Sequence, residues 1–135
     1  MNLDDEPSRR FEVIRAERAE LDQDKAVLRW NRVLGPRAAN EWIAGLIKAI
    51  AALAEFPGPR SHPKDEDACD RFGIEVRRML YYGPSKRRSG TPYRVLFTVI
   101  EPAPGGEHEG IIRVLRILHG ASDPFGPEPG SEESA

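Results

Sequence analysis

The sequence predicts an α+β domain of order β-α-α-β-β-β, with a helical hairpin packed on one face of a largely antiparallel four-stranded sheet. Three observations carry that expectation. Apolar residues recur at helical spacing from Ala19 to Phe56, with a single break at Gly35-Pro36. Three strand-like runs follow, separated by connectors rich in glycine and proline. A short β-prone run, "FEVI" (Phe11 to Ile14), precedes the helices. Two amphipathic helices joined by a tight turn must bury their stripes, and a sheet face is the surface this chain offers.

The elements follow in order. After "FEVI", the stretch "AELDQDKAVLRWNRVL" places Leu21, Ala26, Val27, Trp30, Val33 and Leu34 at helical spacings. Its early acids, Glu20, Asp22 and Asp24, suit the positive end of a helix dipole. Pro36 fits the first turn of a second helix, where its missing N–H costs nothing. That helix, "PRAANEWIAGLIKAIAALAEFP", aligns Ala39, Ile43, Leu46, Ile50 and Leu53, with Trp42, Ala49 and Phe56 beside them. Pro57 ends it. "GPRSHPKDEDACDR" reads as a solvated loop. Its acids (Asp65, Glu66, Asp67, Asp70) fail the calcium-loop pattern, because Asp70 stands where glycine is needed and Val76 where the bidentate glutamate is needed. "GIEVRRMLYY" and "YRVLFTVI" then alternate as half-buried strands, and "GIIRVLRILHG" is apolar on both sides, as a strand near the sheet centre should be.

A chain of 135 residues fits one domain, expected over residues 11–122, between a disordered tail at 1–10 and an acidic disordered tail at 123–135. No apolar run approaches the roughly 18–20 residues of a membrane span. The acidic N-terminus lacks the build of a signal peptide, and the lone Cys69 has no internal disulfide partner, so a cytoplasmic protein is expected. There is no CxxC, HExxH, phosphate-binding glycine loop or GxSxG elbow, so no cofactor and no metal is expected.

The formal net charge is -2, yet Arg71 to Arg94 holds seven basic residues against one acid, Glu75. Arg78, Lys86, Arg87 and Arg88 form a patch suited to phosphates or to an acidic protein segment. Strand alternation sends Arg77 and Arg94 to the face opposite Val76 and Phe97, with Arg116 a further candidate for that face. Guanidiniums gathered there repel one another until an anion neutralises them, and their planar forks match phosphate or carboxylate oxygens. His119 closes the last strand, where it could move a proton near neutral pH or bond to the turn backbone. Tyr81, Tyr82 and Tyr93 could stack on bases or pack as strand aromatics.

The segments "RAERAELD", "PRAANEWIAGLIKAIAALAEFP", "EVRRML", "YRVLFTVI" and "VLRILHGASDP", in this order from Phe11 to Asp123, resemble the RelE/ParE superfamily of toxins from type II toxin–antitoxin and plasmid-stabilisation systems. The resemblance implies a toxin that arrests growth and is neutralised by a cognate antitoxin. RelE-like members cut mRNA on the ribosome without a metal, and ParE-like members poison DNA gyrase. Some slight preference for RNA follows from the arginine-rich strands; the alternatives are the gyrase poison and a toxin-fold protein that only binds a partner. For an RNA cutter the resemblance implies that Arg94 and Arg77 hold the scissile phosphate, with His119 or Tyr81 moving the proton. The chain departs from relatives at Ser122, where many carry arginine, at Glu75, where another basic residue can stand, and in lacking a C-terminal tyrosine.

Overall fold

A computed structural model describes residues 11–55, 59–84, 92–101 and 110–119. Its elements are β1 (Glu12–Arg15), α1 (Glu17–Leu34), α2 (Pro36–Ala52), α3 (Glu66–Phe72), β2 (Arg77–Tyr81), β3 (Tyr93–Ile100) and β4 (Ile111–His119), with a 3-10 turn at Pro59–Ser61. The tails expected at 1–10 and 123–135 lie outside the described residues, as do Lys86, Arg87, Arg88, Phe56, His108 and Ser122.

Gly35 makes the turn between α1 and α2 with φ of 97°, a left-handed value that a side chain would oppose, and Pro36 opens α2 as expected. The sheet runs β1-β4-β3-β2; β1 is parallel to β4, and the other pairings are antiparallel. The β4 strand is therefore central, which accounts for its apolar residues on both sides. Trp42, Leu46 and Ile50 of α2 close over Val95, Phe97, Ile112, Val114 and Ile117 to form the main core. Burying these side chains contributes roughly 1.5–3 kcal/mol for each large one.

Two expectations for the elements are corrected. The loop read at "GPRSHPKDEDACDR" contains α3. Asp65 caps it by accepting the Ala68 N–H at 3.0 Å, Glu66 and Asp67 occupy its first turn, and Gly73 ends it in the left-handed conformation. The second correction concerns α1. Leu21, Val33 and Leu34 are exposed, whereas Asp22 is buried. The reason is that β4 offers Asp22 a cation and a backbone donor, so a carboxylate occupies the inward line.

The second sheet face is not bare. Ala68 and Cys69 of α3 pack there against Val76, Leu96, Leu118 and Leu115. Cys69 is fixed through its sulfur, which lies 3.2 Å from the Val76 nitrogen and 3.4 Å from the Val76 carbonyl oxygen.

Candidate functional site

The register decides which candidate residues can meet. Arg77 is paired with Phe97, Met79 with Val95 and Tyr81 with Tyr93, so these side chains share the face covered by α1 and α2. Arg94 is paired with Leu80 and Leu118, which places it on the α3 side with Arg78 and Leu96. The common face expected for Arg77 and Arg94 is thus corrected: they leave the sheet on opposite sides. Parity within one strand cannot relate it to its neighbour, because a shift of one residue in register exchanges the faces.

Arg116 is also corrected. Leu96 is opposite Arg116 and Phe97 is opposite Val114, leaving Leu115 as an extra residue on β4. Leu115 turns to the α3 side, and Arg116 reaches α1 instead of joining Arg94. Its Nε and Nη2 donate to the two Asp22 oxygens at 2.7 and 3.1 Å, and the Ile117 N–H donates to the same carboxylate at 2.9 Å.

The other arginines have internal oxygens too. Arg77 meets the Glu75 carboxylate at 2.6 Å and donates to the carbonyls of Arg60 and His62, tying the segment after α2 to β2. Arg94 lies 3.4 Å from the second oxygen of Asp65, the same carboxylate that caps α3. Arg78 donates to the Lys64 carbonyl at 3.1 Å. Asp65, Glu66, Asp67, Arg78 and Arg94 line an open cleft of about 460 Å³ between α3 and the sheet. Its walls carry both signs of charge.

Tyr81 and His119 stand at the far end of the helix-covered face. Tyr81 donates to the Trp42 carbonyl at 2.8 Å, and its ring meets Trp42 edge-on at 5.4 Å. Tyr93 packs between Trp42, at 4.9 Å, and His119, at 5.1 Å. Arg77 and Tyr81 are four residues apart on β2, about 13 Å at the strand rise. The four residues considered for catalysis therefore do not surround one point. Sequence reading missed Asp22 and Asp65, the acids that hold Arg116 and Arg94; the cap pattern before "EDACDRFG" was a signal for Asp65, whereas none marked Asp22.

Burial shifts several groups. It pushes the Tyr81 hydroxyl up to about 12 and raises Tyr93, against opposing effects of Arg29 and Trp30. Burial, and then the Arg29 charge, hold His119 below 6.5; burial and Arg77 do the same for His62. A histidine with a depressed native pKa contributes stability above its unfolded value that is lost as pH falls below 6.5. A raised tyrosine acts at the other end: stability is kept below the ordinary value of 10.0 and lost as pH rises towards 12. NMR titration should place both imidazole midpoints below 6.5, and urea unfolding should show the two losses. An ordinary midpoint for His119 would contradict its packing against Tyr93.

Among the described residues, no three His, Cys, Asp or Glu side chains are grouped to hold a metal, and no helix is long and apolar enough to cross a membrane. No curated protein sequence matches the chain. A solved structure described as the chromosomal ParDE TA system from P. aeruginosa is similar in fold, with a TM-score of 0.55 and 17% identity, over 81% of this chain and 95% of that one. The family model described as the ParE toxin of the type II toxin–antitoxin system parDE matches residues 13–124. That match takes in all the described strands and helices apart from Glu12, the first residue of β1, and the chain belongs to the ParE toxin family of type II toxin–antitoxin systems.

Proposed function

We propose that this toxin acts by binding and poisoning DNA gyrase, without RNA cleavage, and that a cognate antitoxin neutralises it. The observation that carries this reading is the separation of Arg94 from His119 and Tyr81 by the sheet itself. Metal-free cleavage of a phosphodiester needs a base for the 2′-hydroxyl, an acid for the leaving oxygen and a cation on the phosphate, all within hydrogen-bond reach of one group. Here Tyr81 is held on a backbone carbonyl with its pKa near 12, and Arg77, Arg94 and Arg116 each face a carboxylate. A surface that binds a protein has no such requirement of convergence, and the family to which the chain belongs carries the ParE name.

Measuring DNA supercoiling and translation separately after induction tests the proposal. Lost supercoiling and trapped double-strand breaks, ahead of any fall in translation, are expected. Purified chain should likewise inhibit gyrase in a supercoiling assay and leave ribosome-bound mRNA intact. Cleaved mRNA with normal supercoiling would overturn the proposal in favour of the RNase. No response in either assay would favour a protein that only binds its partner.

A further inference from the structure

We propose that two copies of this chain pack an uncovered corner of their sheets face to face, about a two-fold axis along the diagonal from Ile14 to Ile111. Register and burial define the corner. Val13, Ile112, Val114 and Val99 turn to the main core, so Glu12, Ile14, Ile111, Arg113 and Ile100 turn to the other face. On that face α3 packs over Val76, Leu96, Leu115 and Leu118, away from this corner. Ile14 and Ile100 are left 38% and 40% exposed, with Glu12 and Arg113 exposed beside them. A single exposed apolar residue needs no explanation. Here, however, β1 is paired in parallel with β4, and parallel pairings are ordinarily covered on both faces.

Charge selects a second copy as the occupant and fixes its direction. Glu12 is paired with Ile111 and Ile14 with Arg113, so the four positions form a rectangle of about 4.8 by 6.6 Å. One diagonal, Ile14 to Ile111, is apolar; the other, Glu12 to Arg113, carries one charge of each sign. A two-fold axis along the apolar diagonal lays Ile14 on Ile14 and Ile111 on Ile111, and it exchanges the charged corners. Glu12 of each copy then faces Arg113 of the other, an opposite-sign pair made twice. Ile100, beside Ile111 on β3, falls against Ile111 of the other copy. An axis along the charged diagonal would stack like on like, and an axis parallel to the strands would lay both charges on isoleucine. Self-complementarity of this kind is what an isologous interface requires.

Because the diagonal runs obliquely to the strands, the strands of the two copies cross at about 70–90°, as in orthogonal sheet packing. Among the described residues neither Glu12 nor Arg113 has an ion pair of its own, so the exchange breaks none. The contact is small for a specific interface. The dimer is accordingly weak and concentration-dependent, and it is independent of which target the toxin takes.

Sedimentation of the full chain up to about 1 mM, the weak limit of specific association, tests the proposal. A monomer–dimer equilibrium that weakens with added salt is expected. Glu12→Lys and, separately, Arg113→Glu should each weaken self-association about tenfold or more, because each sets like charges together twice. Mixing the two variants should restore pairing: the introduced lysine of one meets the introduced glutamate of the other, and the unchanged Arg113 and Glu12 meet as before. An ion pair confined to one chain would gain nothing from mixing. Ile14→Thr and Ile100→Thr keep strand-forming residues at exposed positions, and each should weaken the dimer with the melting temperature nearly unchanged. A parent chain that stays monomeric, a dimer indifferent to these changes, or reversed chains that fail to pair when mixed would overturn the proposal. So would a monomeric parent whose Ile14→Thr variant loses affinity for the antitoxin, because the corner would then belong to that partner.

Discussion

Replacing Asp22 with alanine is expected to destabilise the fold by about 3 kcal/mol, the lower part of the range for breaking a buried ion pair from one side. Asp22 is 8% exposed and Arg116 has 16% of its side chain exposed, so the guanidinium left behind could recover little water. The same carboxylate accepts the Ile117 N–H. That donor lies beyond the reach of β1, whose pairing with β4 ends at Arg15 and Val114. Asp22 thus takes the place of a neighbouring strand along the edge of β4, and it fastens α1 to the sheet at the irregularity. Urea unfolding measures the loss, and hydrogen exchange at the Ile117 amide should accelerate with it. Asp22→Asn should fall between, because it can keep the backbone bond while losing the charge. Replacing both partners with apolar residues should recover much of the stability, since no uncompensated charge remains. A loss below about 0.5 kcal/mol, the range of ordinary surface substitutions, would show that the pair contributes nothing of this size.

Gly45→Ala is the second expected loss, and its sign runs against helix propensity. In the interior of α2 an alanine would normally stabilise by about 1 kcal/mol. At this position an added Cβ would run into the Tyr81 hydroxyl and would stand 3.2 Å from Cα and Cβ of Pro84. Tyr81 has little room to retreat, because its hydroxyl is fixed on the Trp42 carbonyl and its ring is set against Trp42. Overpacking of this kind typically costs about 1–3 kcal/mol, enough to outweigh the propensity gain and leave a net loss of about 1–2 kcal/mol. The Tyr81→Phe change removes the oxygen in the way and sacrifices one hydrogen bond, worth about 1 kcal/mol. In that background Gly45→Ala should cost less than in the parent, a coupling that a double-mutant cycle reads directly. An alanine at residue 45 that stabilises the parent chain would refute the close approach of α2 to β2.

The sequence by itself determined the order of the elements, the turn at Gly35-Pro36, the strands from Arg77 to His119 and the family. Those features rest on local signals: periodicity, proline and glycine positions, and the alternation of side chains within each strand. α3 was also legible, in an aspartate cap before "EDACDRF" and the glycine after it, although its acids read as solvated. Only the tertiary structure decided which faces the arginines take. The pairing of Arg77 with Phe97 and the extra Leu115 on β4 are relations between strands, and neither leaves a mark within one strand. The same holds for Asp22, which looks like one more exposed acid until Arg116, 94 residues later, is brought beside it. Local structure follows from the neighbours in the chain, whereas register and charge pairing follow from which distant segments bury each other.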